Sequence, residues 1–132
     1  MNKTVAVDKS KLPVYWKRFE ECYQLGQKAF DSEQYVGSCI LIVHAAISLV
    51  DYCCIKMLGL RHAGTNHSDT LSLYSRLAIK HSDFKSSIAR LGKIISLKNM
   101  AEYDDEIITQ KDAASMLKDL TRFRDFIEKV IG

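Results

Sequence analysis

The stretch Val36-Gly-Ser-Cys-Ile-Leu-Ile-Val-His-Ala-Ala-Ile-Ser-Leu-Val-Asp-Tyr-Cys-Cys-Ile-Lys-Met-Leu-Gly59 decides the fold. Read at 3.6 residues per turn, Val36, Ile40, Ile47, Cys54 and Leu58 fall on one side and Ile42, Ala45, Leu49 and Cys53 on the other. A helix that is apolar on nearly every side must be covered on nearly every side. It therefore belongs at the centre of a bundle or at a subunit interface. Asp31, with Gln34 in the capping-box position, is the expected N-terminal cap, and Gly59 is the expected stop, giving a helix of roughly 27 residues.

Helical periodicity extends to both sides of this segment, with no internal repeat. A first helix is predicted over 12–30, with Ser10 as cap, Pro13 in its first turn and Trp16, Phe19 and Tyr23 on its apolar side. Beyond a loop over 59–67, a short helix is predicted over 69–79, capped by Ser68 or Asn66. A fourth follows Ser82 and reaches about Tyr103, and a fifth opens at Thr109, with Asp112 three residues on, and runs to Val130. Ala113, Leu117, Leu120, Phe123 or Arg124, Ile127 and Ile131 make its stripe. Four long helices and one short one, with short connections, predict an all-α antiparallel bundle.

The chain has 132 residues, 47% of them hydrophobic, one proline and six glycines, which suits a single helical domain and not a turn-rich sandwich. Its net charge of +3 falls short of a charge-driven nucleic-acid binder. Cys22, Cys39, Cys53 and Cys54 lack zinc spacing and read as small apolar residues in a reducing compartment; no metal or cofactor is expected. Residues 1–10 have no apolar run like a signal peptide and are expected to be flexible. The longest apolar run, 39–50, is interrupted by His44 and Ser48 and is too short to span a bilayer, so a cytoplasmic protein is expected.

Charge is unevenly distributed. Between Arg76 and Lys98 six Lys or Arg face one acid, Asp83, whereas between Glu102 and Asp112 five acids face Lys111. A phosphate track is one reading; solvated helix faces are the other, favoured because Lys85, Arg90, Lys93 and Lys98 share no single stripe. Within the long helix, His44 and Asp51 are seven residues apart and so about 20° from each other, in the stripe of Ile40, Ile47 and Leu58. Asp51 needs a basic partner, with Lys98 and Arg61 the candidates, as a core carboxylate, as a group at a wet dimer seam, or as one that positions a catalytic cation. The 59–67 loop gathers Arg61, His62, Asn66 and His67 between and beside two glycines, fit either for helix termini or for an anion at the start of the third helix.

Near the end of the fourth helix stands Leu97-Lys98-Asn99-Met100-Ala101-Glu102-Tyr103-Asp104. On a helix Lys98 faces Glu102 and Asn99 faces Tyr103, which ordinary surface pairing explains. In combination with Ala45-Ala46-Ile47-Ser48-Leu49-Val50-Asp51 and the loop ending in Asn66-His67, the chain over 31–131 resembles the HEPN family, small helical-bundle domains of prokaryotic toxins, ribonucleases and nucleotide-binding proteins.

That resemblance implies a homodimer with a shared cleft and metal-independent RNA cleavage by an Arg and a His separated by four to six residues that often begin with Asn. Here Lys98 replaces the Arg, Tyr103 replaces the His, and Asn99 matches. Lysine loses the planar fork that grips phosphate, and tyrosine, with an ordinary pKa near 10, is a poor base at neutral pH. Losing one positioned acid-base group costs about 10²- to 10⁴-fold. The expectation is a homodimer that binds a nucleotide, RNA or a protein partner through Lys98, Asn99, Tyr103, Asp51, Arg61 and His67, with weak or no nuclease activity. The alternatives are a divergent ribonuclease toxin of a toxin–antitoxin pair with a nucleotidyltransferase-type partner, and a purely structural helical adaptor.

Overall fold

The structure, a computed structural model, describes residues 3–64, 67–102 and 105–131, with the backbone alone at 67, 68 and 102. It is all-α apart from one small sheet. In chain order come β1 (Thr4–Ala6), a 3-10 turn (Lys9–Lys11), α1 (Leu12–Asp31), α2 (Tyr35–Leu58), β2 (Leu60–His62), α3 (His67–Ser75), α4 (Leu77–Lys80), a second 3-10 turn (Ser82–Phe84), α5 (Lys85–Glu102) and α6 (Gln110–Ile131).

α2 is the central element. It packs most extensively against α1 and also meets α5, α6, α3 and β2. Its buried residues run from Ser38 and Cys39 through Ile42, Ala45, Leu49 and Cys53 to Ile55. By length and composition α2, 24 residues long with mean hydropathy 2.0, matches a bilayer-spanning helix, unlike the shorter 39–50 run considered from sequence. Here its apolar surface is largely spent on the bundle, since most of that surface is buried inside the fold.

α1 approaches α2 closely at Gly26, where an added Cβ would stand 3.3 Å from Ile42 Cγ1. The buried Ser38 hydroxyl donates to the Gly26 carbonyl at 2.8 Å, tying the two helices at that point. α6 closes the other side, burying Ala113, Met116, Leu120, Phe123 and Ile127. Phe123, and not Arg124, is the inward residue of that turn. Arg124 lies over the Tyr23 ring, whose hydroxyl donates to Thr121. Edge-on contacts among Tyr74, Phe84, Phe123 and Phe126 join α3, the second 3-10 turn and α6, and the buried Tyr74 hydroxyl donates to Ser87 of α5 at 2.6 Å.

The capping box at α6 forms as its spacing predicts: the Asp112 amide donates to Thr109 Oγ1 at 3.2 Å and the Thr109 amide to Asp112 Oδ2 at 3.0 Å. Ile108 before it is buried, anchoring the entry of the helix. Gly59 stops α2 in the left-handed region at φ 72°.

Other boundaries differ from the sequence reading. Asp31 is the last residue of α1, not the cap of α2, whose first turn has Gln34 before it and no side-chain cap. Ser10 does not cap α1; its amide instead donates to Asp8, which opens the preceding turn. The helix expected over 69–79 is broken at Arg76. Residues 1–10, expected to be flexible, include β1, which pairs antiparallel with β2 so that Thr4 faces His62 and Ala6 faces Leu60.

The α1–α2 turn closes without glycine. Glu33 takes φ 61°, while the Gln34 amide reaches back to the Ala29 carbonyl at 2.8 Å. A side chain in that region costs roughly 1–2 kcal/mol that glycine does not pay. Glu33→Gly is therefore expected to raise stability by about 1 kcal/mol in urea unfolding, despite the greater freedom it gives the unfolded chain.

Candidate functional site

The stripe of α2 that holds His44 and Asp51 faces outward. Ile40, Ile47, Ser48 and Asp51 are half-buried, His44 is exposed, and Val36 keeps 46% of its surface. Ser38, Cys39, Ile42, Val43, Ala45, Ala46, Leu49 and Val50 between these positions are buried, so this seam is a side of α2 that its neighbours leave partly uncovered. Polarity in the stripe has a simple local cause: a residue at this angle still meets water.

Asp51 lies at the inner end of the seam. Burial pushes its carboxyl up to about 7 from an ordinary 3.8, and the charges of Arg61 and Arg18 pull in the opposite direction without overcoming it. Of the two cations expected beside it, Arg61 acts on it; Arg18, on the outer side of α1, is the cation that sequence reasoning missed. Its sequence separation from Asp51 carries no periodic signal. Only the docking of α1 along α2 brings the two into range.

β2 holds Arg61 and His62 in the segment read as a loop. Strand pairing places Arg61 opposite Val5, and its guanidinium donates to the His62 carbonyl at 3.0 Å. His62 turns inward and is only 9% exposed, with both ring nitrogens buried and without a hydrogen-bond partner among the described residues. Gly64 lies against that ring: a Cβ there would sit 2.9 Å from His62 Cε1. The Thr70 hydroxyl is likewise buried without a hydrogen-bond partner among the described residues. Such groups carry a desolvation cost of about 1–3 kcal/mol each. His67 begins α3, but its side chain, and Asn66 altogether, lie outside the described residues.

Lys98 and Asn99 are on the last turns of α5. Lys98 is half-buried and follows Leu91 and Ile94 at helical spacing on the inward face, whereas Asn99 is exposed. Tyr103 and Asp104, and the side chain of Glu102, lie outside the described residues. Lys80, Lys85 and Lys93 are exposed and Arg90 is half-buried, without forming one track. The structure thus brings Asp51, Arg61 and Arg18 together.

Among the described residues no set of His, Cys, Asp and Glu forms a metal-binding cluster. All four cysteines are unbonded, and burial raises the Cys39 thiol to about 11 and the Cys54 thiol to about 12, far from reactive thiolates. An open pocket of about 410 Å³ between α1, α2 and α6 is lined by Trp16, Tyr52, Ile127, Glu128 and Ile131. Its lining includes none of the candidate binding residues Asp51, Arg61, Lys98 and Asn99.

No protein-family model matches this chain, and no curated protein matches it in sequence. A carboxyl that titrates near 7 in the fold and at 3.8 when unfolded keeps its proton longer in the fold, so folding stability falls as pH rises through that window. Asp51→Asn is expected to match the parent near pH 4 and to be more stable by about 1–3 kcal/mol at pH 8, measured by urea unfolding at protein concentrations that keep the chain single.

Proposed function

We propose that the chain is a HEPN-like homodimeric binding module, with weak or no nuclease activity, whose dimer cleft holds a nucleotide or a short RNA segment by its phosphates. One observation carries this reading: the uncovered seam of α2 ends at a strained carboxyl flanked by Arg18 and Arg61. Apolar surface favours association of copies. The two arginines supply planar, permanently charged donors suited to phosphate, beside a seam that a second copy would shield from water.

The same geometry argues against efficient cleavage. Transfer of a proton from a 2'-hydroxyl requires a base near neutral pKa within hydrogen-bond reach of substrate. His62, the histidine next to Arg61, turns its ring into the fold, and His44 is separated from Asp51 by two helical turns. Lys98 and Tyr103 replace the arginine and histidine of the active family motif.

The test combines thermal shift with cleavage. Saturating nucleotide or single-stranded RNA is expected to raise the melting temperature by mass action. Arg18→Ala and Arg61→Ala are each expected to weaken binding about tenfold, in line with about 1.5 kcal/mol for a hydrogen bond to a charged group. RNA incubated in chelator is expected to stay intact over hours. Robust cleavage lost on Lys98→Ala would make the protein a ribonuclease, and a dimer with no thermal response to either ligand would make it an adaptor.

A further inference from the structure

We propose that two copies of this chain associate through α2 about a two-fold axis passing between Ile47 and Ser48, so that the imidazole of His44 in each copy donates to the carboxylate of Asp51 in the other. The proposal rests on the homodimer reading above and assigns it a surface, a register and a polar contact.

Symmetry carries the argument. In a two-fold contact, residue i of one copy meets residue j of the other and j meets i. Two antiparallel α2 helices whose axis lies between Ile47 and Ser48 place 44 opposite 51 twice over. The two residues are a donor and an acceptor, lie seven apart on one stripe, and both reach the surface of the uncovered seam. The stripe is therefore complementary to its own rotated copy, which is the reason to name this chain, and not an unrelated protein, as the occupant.

Neighbouring residues agree with this register. Ser48, small and half-buried, sits at the crossing point, where two helices must approach to about 8–10 Å. Val36 comes opposite Gly59, and β1 is bonded to that end of α2 by the Val7 amide donating to the Gly59 carbonyl at 3.0 Å. Val5 on β1 is 41% exposed and Val36 46%, so the axis brings two bare valines of different copies to the same place. From Val36 to Asp51 the seam is about 22 Å long, four turns of contact per helix.

The alternative occupant, an apolar helix of another protein, would bury Asp51 further and add no donor to the Arg18 and Arg61 charges that already fail to offset its burial. A half-buried carboxylate that loses its remaining water needs a hydrogen bond from whatever covers it. His44 of a second copy supplies one in each direction.

Sedimentation equilibrium on the full chain, with charge-swapped variants, tests this. The parent is expected to be a dimer at high micromolar concentration. His44→Asp sets carboxylate against carboxylate, and Asp51→His sets imidazole against imidazole; each is expected to weaken association at least about tenfold. The double variant His44→Asp with Asp51→His is expected to recover it, a restoration that a general loss of stability cannot produce.

Ser48→Cys, close to the axis, gives an independent reading: it should form a cross-copy disulfide under mild oxidation, while the parent, with its native cysteines, and Ser86→Cys on exposed α5 should not. If the swapped pair fails to fold, this cross-link decides. A parent dimer unaffected by either single variant, or one that does not cross-link at 48, overturns the assigned surface and leaves the homodimer standing. A parent that stays monomeric overturns both.

Discussion

The rest of the structure depends on how a helix with apolar residues on almost every side is covered. α2 buries a continuous sector from Ser38 to Ile55, and each neighbour can be understood by the part of that sector it takes. α1 lies close because Gly26 and Ser38 let the backbones meet. α6 brings a five-residue stripe, and α5 with α3 brings the aromatic cluster around Tyr74 and Phe84. Three long helices around a fourth leave one side open. On that side the sequence turns partly polar, at His44, Ser48 and Asp51.

Large parts of this were legible in sequence because they depend on local chemistry. The Thr109–Asp112 box, the left-handed stop at Gly59 and the stripe of α6 each require only neighbours a few residues away. Failures fell where the cause was tertiary. β1 and β2 are three residues each, too short for alternation to show, and exist because each satisfies the other's backbone. The α1–α2 turn was misread because Glu33 adopts a conformation that sequence reasoning assigns to glycine, so Asp31 was taken as the start of a helix when it ends one.

The site was legible to the same extent. That Asp51 should need a cation followed from its place in an apolar stripe, and Arg61 is one of the two that reach it. Arg18 could not be foreseen, since its approach depends on the pitch at which α1 crosses α2. The inward turn of His62 was not legible either: nothing in Leu60-Arg61-His62 tells which side of a strand is inward until β1 is in place. The pairing puts Arg61 at the seam and His62 inside, because consecutive side chains on a strand take opposite faces.

Polar residues in the α2 seam have a consequence that apolar ones lack. Aliphatic side chains pack against one another in several registers with similar energy, so a purely apolar stripe selects a partner without fixing its position. A carboxylate held half-buried, at a cost that Arg18 and Arg61 do not fully offset, changes that balance. A one-turn slip of any helix laid along the seam keeps the apolar contact but leaves the Asp51 carboxyl with no new hydrogen bond for the water it loses, a cost of about 1–3 kcal/mol. The expense of burying Asp51 in the single chain is thus the source of register when the seam is covered.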